Sequence, residues 1–422
     1  MKNRMFSFSW FFVFVILASC SREKIGISII SIETDISKIN TEKKIPCSIS
    51  YANAQGQNVF ENMKAGIMFK GNQSLAFEKK SFSIELKENV KMEEMEADDD
   101  WKLNASYIDK TFLRNKISYD LFRQFSKNNI APTVSWVEIF LNNSYQGLYI
   151  ITDKMDVKHL GLDVNDTSAV LFKSAPISQL PASLDSVHNS LSEYVMTADR
   201  WSSWSEKGRK ELAEDIYFNQ RYPKFSERDK HFVIYELTDF LHNTTSEKFS
   251  NSKNGIDSLF DLENIIDYHL LLLITNNGDG VVNNNYLYRQ NLNMPYKICP
   301  YDFDHSFGRD GDGEPNPDNF IDFSRNKLLN RLVKTNAFNY NERLKEKYYK
   351  LKKENILTVE NIEAMIDSNA RKIKPFALKD GKKWRIDEHK YFQNTDFDNE
   401  VELMKNWVPR HMIKVEKYLN EL

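Results

Sequence analysis

The chain has 422 residues, with 57 lysines and arginines against 60 acidic residues and a formal net charge of −3. This length suits one large bilobal enzyme or two to three structural units, and the near-neutral charge argues against a dedicated nucleic-acid binder. Hydrophobic residues at 41% exclude global disorder, and three cysteines exclude a disulfide scaffold or a multi-cysteine zinc framework.

The first segment reads as a targeting sequence. Lys2 and Arg4 form a basic start, and Phe6 to Leu17 is an uncharged apolar run too short to span a bilayer comfortably. Leu17-Ala18-Ser19-Cys20 resembles a bacterial lipobox, which predicts cleavage of residues 1–19 and lipidation of Cys20. The mature chain would then keep 403 residues and, without Lys2 and Arg4, a net charge of −5. The acyl chain would be its only membrane attachment. Cys47 and Cys299 remain, and their spacing does not say whether they pair.

Residues 25 to 155 read mainly as strands. Ile25–Ile32 and Lys44–Tyr51 alternate, Ala65–Lys70 and Ser81–Lys87 follow, and Trp136–Leu141 with Leu148–Thr152 predicts a hairpin. One helix is expected over Lys110–Phe125, and the acid-rich Glu93–Asp100 stretch reads as a solvated loop. Beyond residue 205 the pattern turns helical. Asp229–Leu241 is amphipathic, Leu262–Thr275 is apolar on most faces and predicts a buried helix, and 326–374 with 398–421 read as surface helices. Residues 176–204 and 308–322 read as loops. A β-rich part followed by a helical part predicts an α+β fold of two lobes.

Three segments carry candidate chemistry. Lys70-Gly71-Asn72-Gln73-Ser74 offers backbone N–H groups to an anion, with Lys79 and Lys80 on the next strand. Lys80 shares a period-two face with Phe82, Ile84 and Leu86, so it needs a partner more than Lys79 does. In the second segment, Asp279 precedes Asn284 and Asn285 by five and six residues, so one loop could hold a base and a metal-ligating amide. The third places Asp302 and Asp304 after an apolar strand over Tyr296–Cys299, and an extended backbone would point both carboxylates toward one divalent cation. His269 on the buried helix reads as a core residue.

Taken in order, these segments resemble the CotH kinase family, the spore coat protein H-like atypical protein kinases. The resemblance runs through Lys70–Ser74 with Lys79-Lys80-Ser81-Phe82, then Trp101 to Asn115, the Val137–Lys154 hairpin, Asp279 to Tyr286, and Pro300-Tyr301-Asp302-Phe303-Asp304 with Phe307-Gly308. Lys70 stands where that family usually has Arg, and Tyr301 where it has Trp. The resemblance implies a divergent protein-kinase-like bilobal fold, with a strand segment at 20–60, a β-rich lobe at 61–155 and a mainly helical lobe at 156–422. It also implies roles. Gly71, Asn72 and Ser74 would line a phosphate loop with Lys79, Lys80 would contact phosphate, and Arg114 would pair with a phosphate or a carboxylate. Asp279 would be the catalytic base, and Asp302 with Asn284 or Asn285, and Asp304 as a second acid, would hold Mg²⁺.

The expected activity is ATP-dependent phosphoryl transfer to a protein acceptor by an envelope lipoprotein, facing the periplasm or on the outer membrane. A lipoprotein beyond the inner membrane meets little ATP, which motivates a second reading as a non-catalytic binding protein. A third is nucleotidyl transfer. Neither composition nor motif names the acceptor.

Overall fold

The computed structural model describes residues 26–71, 73–176, 216–224, 227–228, 230–309, 320–324, 326–385 and 396–422. The targeting segment with Cys20, Asn72 of the glycine turn, and most of the two expected loops lie outside the described residues.

Seven strands form a closed barrel in the order β1-β2-β3-β4-β5-β7-β6. They are β1 (Ser28–Glu33), β2 (Ile45–Ala52), β3 (Asn58–Lys70), β4 (Ser81–Val90), β5 (Asp98–Asn104), β6 (Val134–Leu141) and β7 (Ser144–Thr152). Neighbours run antiparallel except at the closure, where β1 pairs parallel with β6 and places Ile30 beside Ile139. Alternation explains the interior: Ile30, Ile32, Ile49, Ile67, Ile84, Trp101, Ile139 and Ile151 point inward with essentially no exposure. Each expected strand in this region is present, and the expected hairpin joins β6 to β7 through left-handed Asn142 and Asn143.

Two expectations for this region are corrected. The acid-rich stretch is a solvated loop only over residues 93–97, where Glu94 and Glu96 are exposed but Met95 is buried; Asp98 starts β5 with its carboxylate beside His159 and Lys158. The helix begins four residues late, as α1 (Arg114–Phe125). Asp109 accepts from the Thr111 backbone and hydroxyl, and Thr111 Oγ1 accepts from Leu113 N. These local bonds compete with helix over 109–113.

A second, antiparallel sheet runs β11-β10-β8-β9, from β8 (Val170–Pro176), β9 (Ile216–Tyr222), β10 (Asn285–Arg289) and β11 (Lys297–Pro300). Phe172, Leu287 and Ile298 on one face pack into the helical core, while Leu171, Tyr286, Tyr288 and Cys299 cover Met155 and Leu160 on the other. The helices are α2 (His231–Asn243), α3 (Ser246–Phe249), α4 (Leu262–Thr275), α5 (Gly278–Val282), α6 (Lys327–Thr335), α7 (Tyr340–Lys353), α8 (Val359–Lys383) and α9 (Phe397–Glu421). At the centre is α4, buried at every position except Glu263, with an Asp261 cap at its start. His269 sits inside it 3.0 Å from the Tyr340 hydroxyl, and burial pushes its imidazole down to about 3. It is a neutral core histidine, as expected.

The later helices are more than surface helices. Most of their lysines and glutamates face outward, with Glu400 a buried exception, but Leu344, Tyr348, Ile366, Ile373, Met404 and Trp407 form a stripe buried against α4 and its neighbours. The far end of α8 docks on the barrel. Asp380 there receives Leu148 N at 2.9 Å and pairs with Lys79 at 2.7 Å. Gly147 leaves room for this contact, since a Cβ there would lie 2.2 Å from Asp380 Oδ1. Cys47 lies in the barrel and Cys299 in the second sheet, and both thiols are free.

Candidate functional site

The site forms where α4 ends and the second sheet meets the barrel. Asn276 terminates α4 in the left-handed region, and Asn277 Oδ1 accepts Gly280 N to cap the short α5. This puts Asp279 on the first turn of α5, half exposed. Gly280 is packed so closely that a Cβ would stand 2.5 Å from Leu272 Cδ2. Tyr268 fixes the same turn by donating to Gly280 O at 2.7 Å.

Asp302 follows β11, but its backbone is left-handed at φ 59°, so the expected extended Asp302–Asp304 arrangement is corrected. Side chains from elsewhere hold this bend. Asp302 N donates to the Tyr119 hydroxyl at 2.8 Å and Phe303 N to Asn115 Oδ1 at 2.7 Å, both from α1. Asn284 Nδ2 donates to Asp302 O at 3.1 Å. The two carboxylates still share one pocket: burial first, and then the Asp302 charge, push Asp304 up to about 7. His305 Nδ1 lies 3.3 Å from Asp279 Oδ2. Although burial opposes its charge, Asp304 and Asp279 raise the imidazole above its usual range. The charges of Asp279, Asp302, Asp304 and His305 thus act on one another, giving an acidic region with one histidine.

Facing it is a cluster of cations. Lys70 ends β3, Lys102 is on β5, Lys173 on β8 and Arg221 on β9. The Tyr301 ring packs against these cations, with Lys173 Nζ 3.9 Å and Lys102 Nζ 5.2 Å from its centre, and it also feels the Asp302 and Asp304 charges. Burial pushes Lys173 down to about 7, and repulsion from Lys102 and Arg221 adds to it while Asp302 opposes. Lys70 falls well below its ordinary value of 10.5 for the same reasons, with Lys102 and Lys173 as its like-charged neighbours. A fold concentrates cations against their own repulsion where an anion belongs.

The other expected site residues are placed differently. Lys80 is not on the acidic pocket: its ammonium donates to Leu75 O and Phe77 O, so it ties down the turn after Gly71. Lys79 is the lysine that needs a partner, being fully buried and paired with Asp380, which corrects the order of interest expected for the two. Gly71, at φ 131°, lies against Ser74, whose Oγ would stand 2.0 Å from an added Cβ, so the turn holds only with glycine there. Arg114 has no arm turned to a nucleotide. It binds Asp109 at 2.6 Å, Glu400 at 3.2 Å and Ser306 O at 2.9 Å, and is 1% exposed. Asn285 turns into the sheet, exchanging bonds with Ser174 and Asn283, whereas Asn284 touches the Asp302 bend.

Sequence reading singled out neither Lys102 nor Lys173 nor His305. The signal for Lys173 was present, since it sits on the apolar run Val170-Leu171-Phe172, the same pattern that drew attention to Lys80. The donors around Asp302 are mainly oxygens, with the His305 imidazole beside them. Asp302, Asp304 and the amide of Asn284 suit a hard divalent cation such as Mg²⁺, and Asn283 Oδ1 nearby in the chain is buried without a partner among the described residues.

The model of the CotH kinase protein family matches residues 67–412. Inner spore coat protein H of Bacillus subtilis (strain 168) is 22% identical over 358 residues, which is 84% of this chain and 87% of that protein. No described helix is long and apolar enough to cross a membrane. The match runs from the end of β3 through the later barrel strands, the second sheet and most of the helical part, and the chain belongs to the CotH kinase protein family.

Proposed function

We propose that the protein is an ATP- and Mg²⁺-dependent phosphotransferase, an atypical kinase acting on a protein hydroxyl, built on a divergent kinase-like bilobal fold. The observation that carries this reading is the gathering of Lys70, Lys102, Lys173 and Arg221 near Asp302, with Lys102 and Lys173 packed on the Tyr301 ring. A polyphosphate would satisfy both sides, because its oxygens would neutralise the cations and the acids would hold the divalent cation that accompanies it. Family membership supports the kinase-like character.

In this reading Asp302 and Asp304 hold Mg²⁺ with Asn284, and the metal supplies charge neutralisation at the phosphates. Lys102 and Lys173 bind the phosphate oxygens, and Lys70 joins them from the end of β3. Lys80 acts at one remove, by shaping the Gly71–Ser74 turn. Asp279 accepts a hydrogen bond from the acceptor hydroxyl and orients it. His305, paired with Asp279, keeps that carboxylate fixed in direction. Catalysis of this kind is positioning and charge stabilisation.

Purified protein incubated with Mg²⁺ and γ-labelled ATP should transfer label to an added protein acceptor or to itself, and Asp302→Ala should reduce transfer by at least ~100-fold, as loss of a preorganised electrostatic group does. Equal labelling by the variant would refute the assignment. Label arriving from the α position instead would mean nucleotidyl transfer. Absence of both transfer and binding would leave a non-catalytic binding protein.

We further propose that Cys20 carries a lipid anchor that holds the protein in the cell envelope, on the outer membrane or facing the periplasm. The Leu17-Ala18-Ser19-Cys20 sequence supports this. Cells fed a labelled fatty acid should label the wild-type chain and not Cys20→Ser, and the variant should leave the membrane fraction. Label retained by the variant would rule out this anchor.

A further inference from the structure

The bend that presents Asp302 and Asp304 does not hold itself. Within eight residues it contains three left-handed positions, Asp302 at φ 59°, Phe307 at 48° and Gly308 at 88°. Two of these are not glycine, so the surroundings must impose the conformation. The front half is pinned by Tyr119 and Asn115 of α1. The back half is pinned by Phe307 N donating to Thr275 O at 2.8 Å, by Arg114 Nε donating to Ser306 O at 2.9 Å, and by Arg309 at the end of the loop.

Both arginines converge on one carboxylate. Glu400, in the first turn of α9, receives Arg114 Nη2 at 3.2 Å and Arg309 Nε at 3.1 Å, with a second contact from Arg309 Nη2. Arg114 is 1% exposed, Arg309 4%, Glu400 2% and Asp109 1%. Two guanidiniums and two carboxylates meet in this buried group, so each charge has an opposite one beside it. Asp109 occupies the other arm of Arg114 at 2.6 Å, leaving Glu400 as the group that joins Arg114 to Arg309.

We propose that Glu400 is a positioning residue for the metal-binding bend: through Arg114 and Arg309 it fixes the backbone of 302–309, and so the placement of Asp302 and Asp304. It touches neither substrate nor metal. The proposal rests on the phosphotransferase reading for its effect on nucleotide, but not for its effect on the loop. It also makes the last helix part of the site, although Glu400 follows Asp302 by almost a hundred positions.

The test is amide hydrogen exchange on full-length Glu400→Gln, with Mg²⁺ and ATP binding measured beside it. Amides of 302–309 should exchange at least ~10-fold faster than in the wild type while barrel amides keep their protection. The Mg²⁺ concentration giving half-maximal ATP-induced stabilisation should rise at least ~10-fold. Should Glu400→Gln fail to fold, Glu400→Gln with Arg309→Gln removes one charge of each sign and keeps the Asp109–Arg114 pair. Its loop should still exchange faster and its Mg²⁺ requirement stay high. Wild-type protection of 302–309 in either folded variant overturns the proposal. If the wild type itself binds no Mg²⁺–ATP, the phosphotransferase reading fails, and loop exchange alone decides the role of Glu400.

Discussion

Asp380→Asn is expected to lower the unfolding free energy by about 3–5 kcal/mol, the cost of stranding one member of a buried ion pair. Lys79 is the member left behind. Its side chain is 0% exposed and that of Asp380 2%, with 2.7 Å between the charged atoms. Burial lowers the lysine's proton affinity and Asp380 restores part of it, so without the carboxylate Lys79 keeps only carbonyl and ring contacts. These are Ala105 O at 2.7 Å, Leu148 O at 2.5 Å and the Tyr149 ring at 4.6 Å. The same oxygen of Asp380 that meets Lys79 accepts Leu148 N, so the substitution also disturbs β7. Urea unfolding followed by circular dichroism measures the loss. Lys79→Met combined with Asp380→Leu should recover much of it, because removing both charges costs less than removing one. A single variant within 1 kcal/mol of wild type would show that the pair does not hold α8 to the barrel.

Replacing Lys102 and Lys173 together by alanine should weaken Mg²⁺–ATP binding by ~100-fold or more. Charge-assisted hydrogen bonds contribute roughly 1.5–3 kcal/mol each, and two are removed. The same variant should unfold at a higher temperature than wild type without nucleotide, because these cations repel one another and Lys70 in the unliganded protein. Lost binding with gained stability distinguishes a binding cluster from a structural one. Lys173 adds a pH signature. Its folded value of about 7 lies below its ordinary 10.5, so between these values the unfolded chain binds more protons. Stability of the unliganded wild type should therefore rise with pH from about 7 toward 10.5, and the variant should lack that rise. Calorimetric melts across this range, with and without Mg²⁺–ATP, measure both effects. A variant that binds nucleotide normally would remove the phosphate role from these lysines.

Much of the fold was legible because its periodicities are strong. Alternating isoleucines marked the barrel strands, and the segment Leu262–Thr275, apolar on most faces, marked the central helix at its observed limits. Closure of the barrel was not legible, since no local pattern tells Ile30 that its neighbour is Ile139. In the site, Asp304 feels the charges of Asp302 and Asp279, which lie in the two loops that the ordered motifs marked. The lysines were harder, because adjacent residues on a strand face opposite ways and local sequence does not say which face meets a partner 300 positions away. Thus Lys79 finds Asp380, while Lys80 closes a local turn. Arg114 illustrates the same limit, because its partner Glu400 sits 286 positions along the chain.

The parallel pairing of β1 with β6 has a consequence for synthesis and folding. Thr34 and Asn142, 108 positions apart, bond where the barrel closes. The first strand therefore waits for its final neighbour until more than a hundred further residues have been made. Until then the edges of β1 and of each newly formed strand stay open to other chains. Closure of so long a loop is slow compared with hairpin formation, so the barrel should be the late step rather than the seed, despite lying at the front of the chain. A nascent chain of this protein is thus most exposed to mispairing while its N-terminal half is already complete except for one seam.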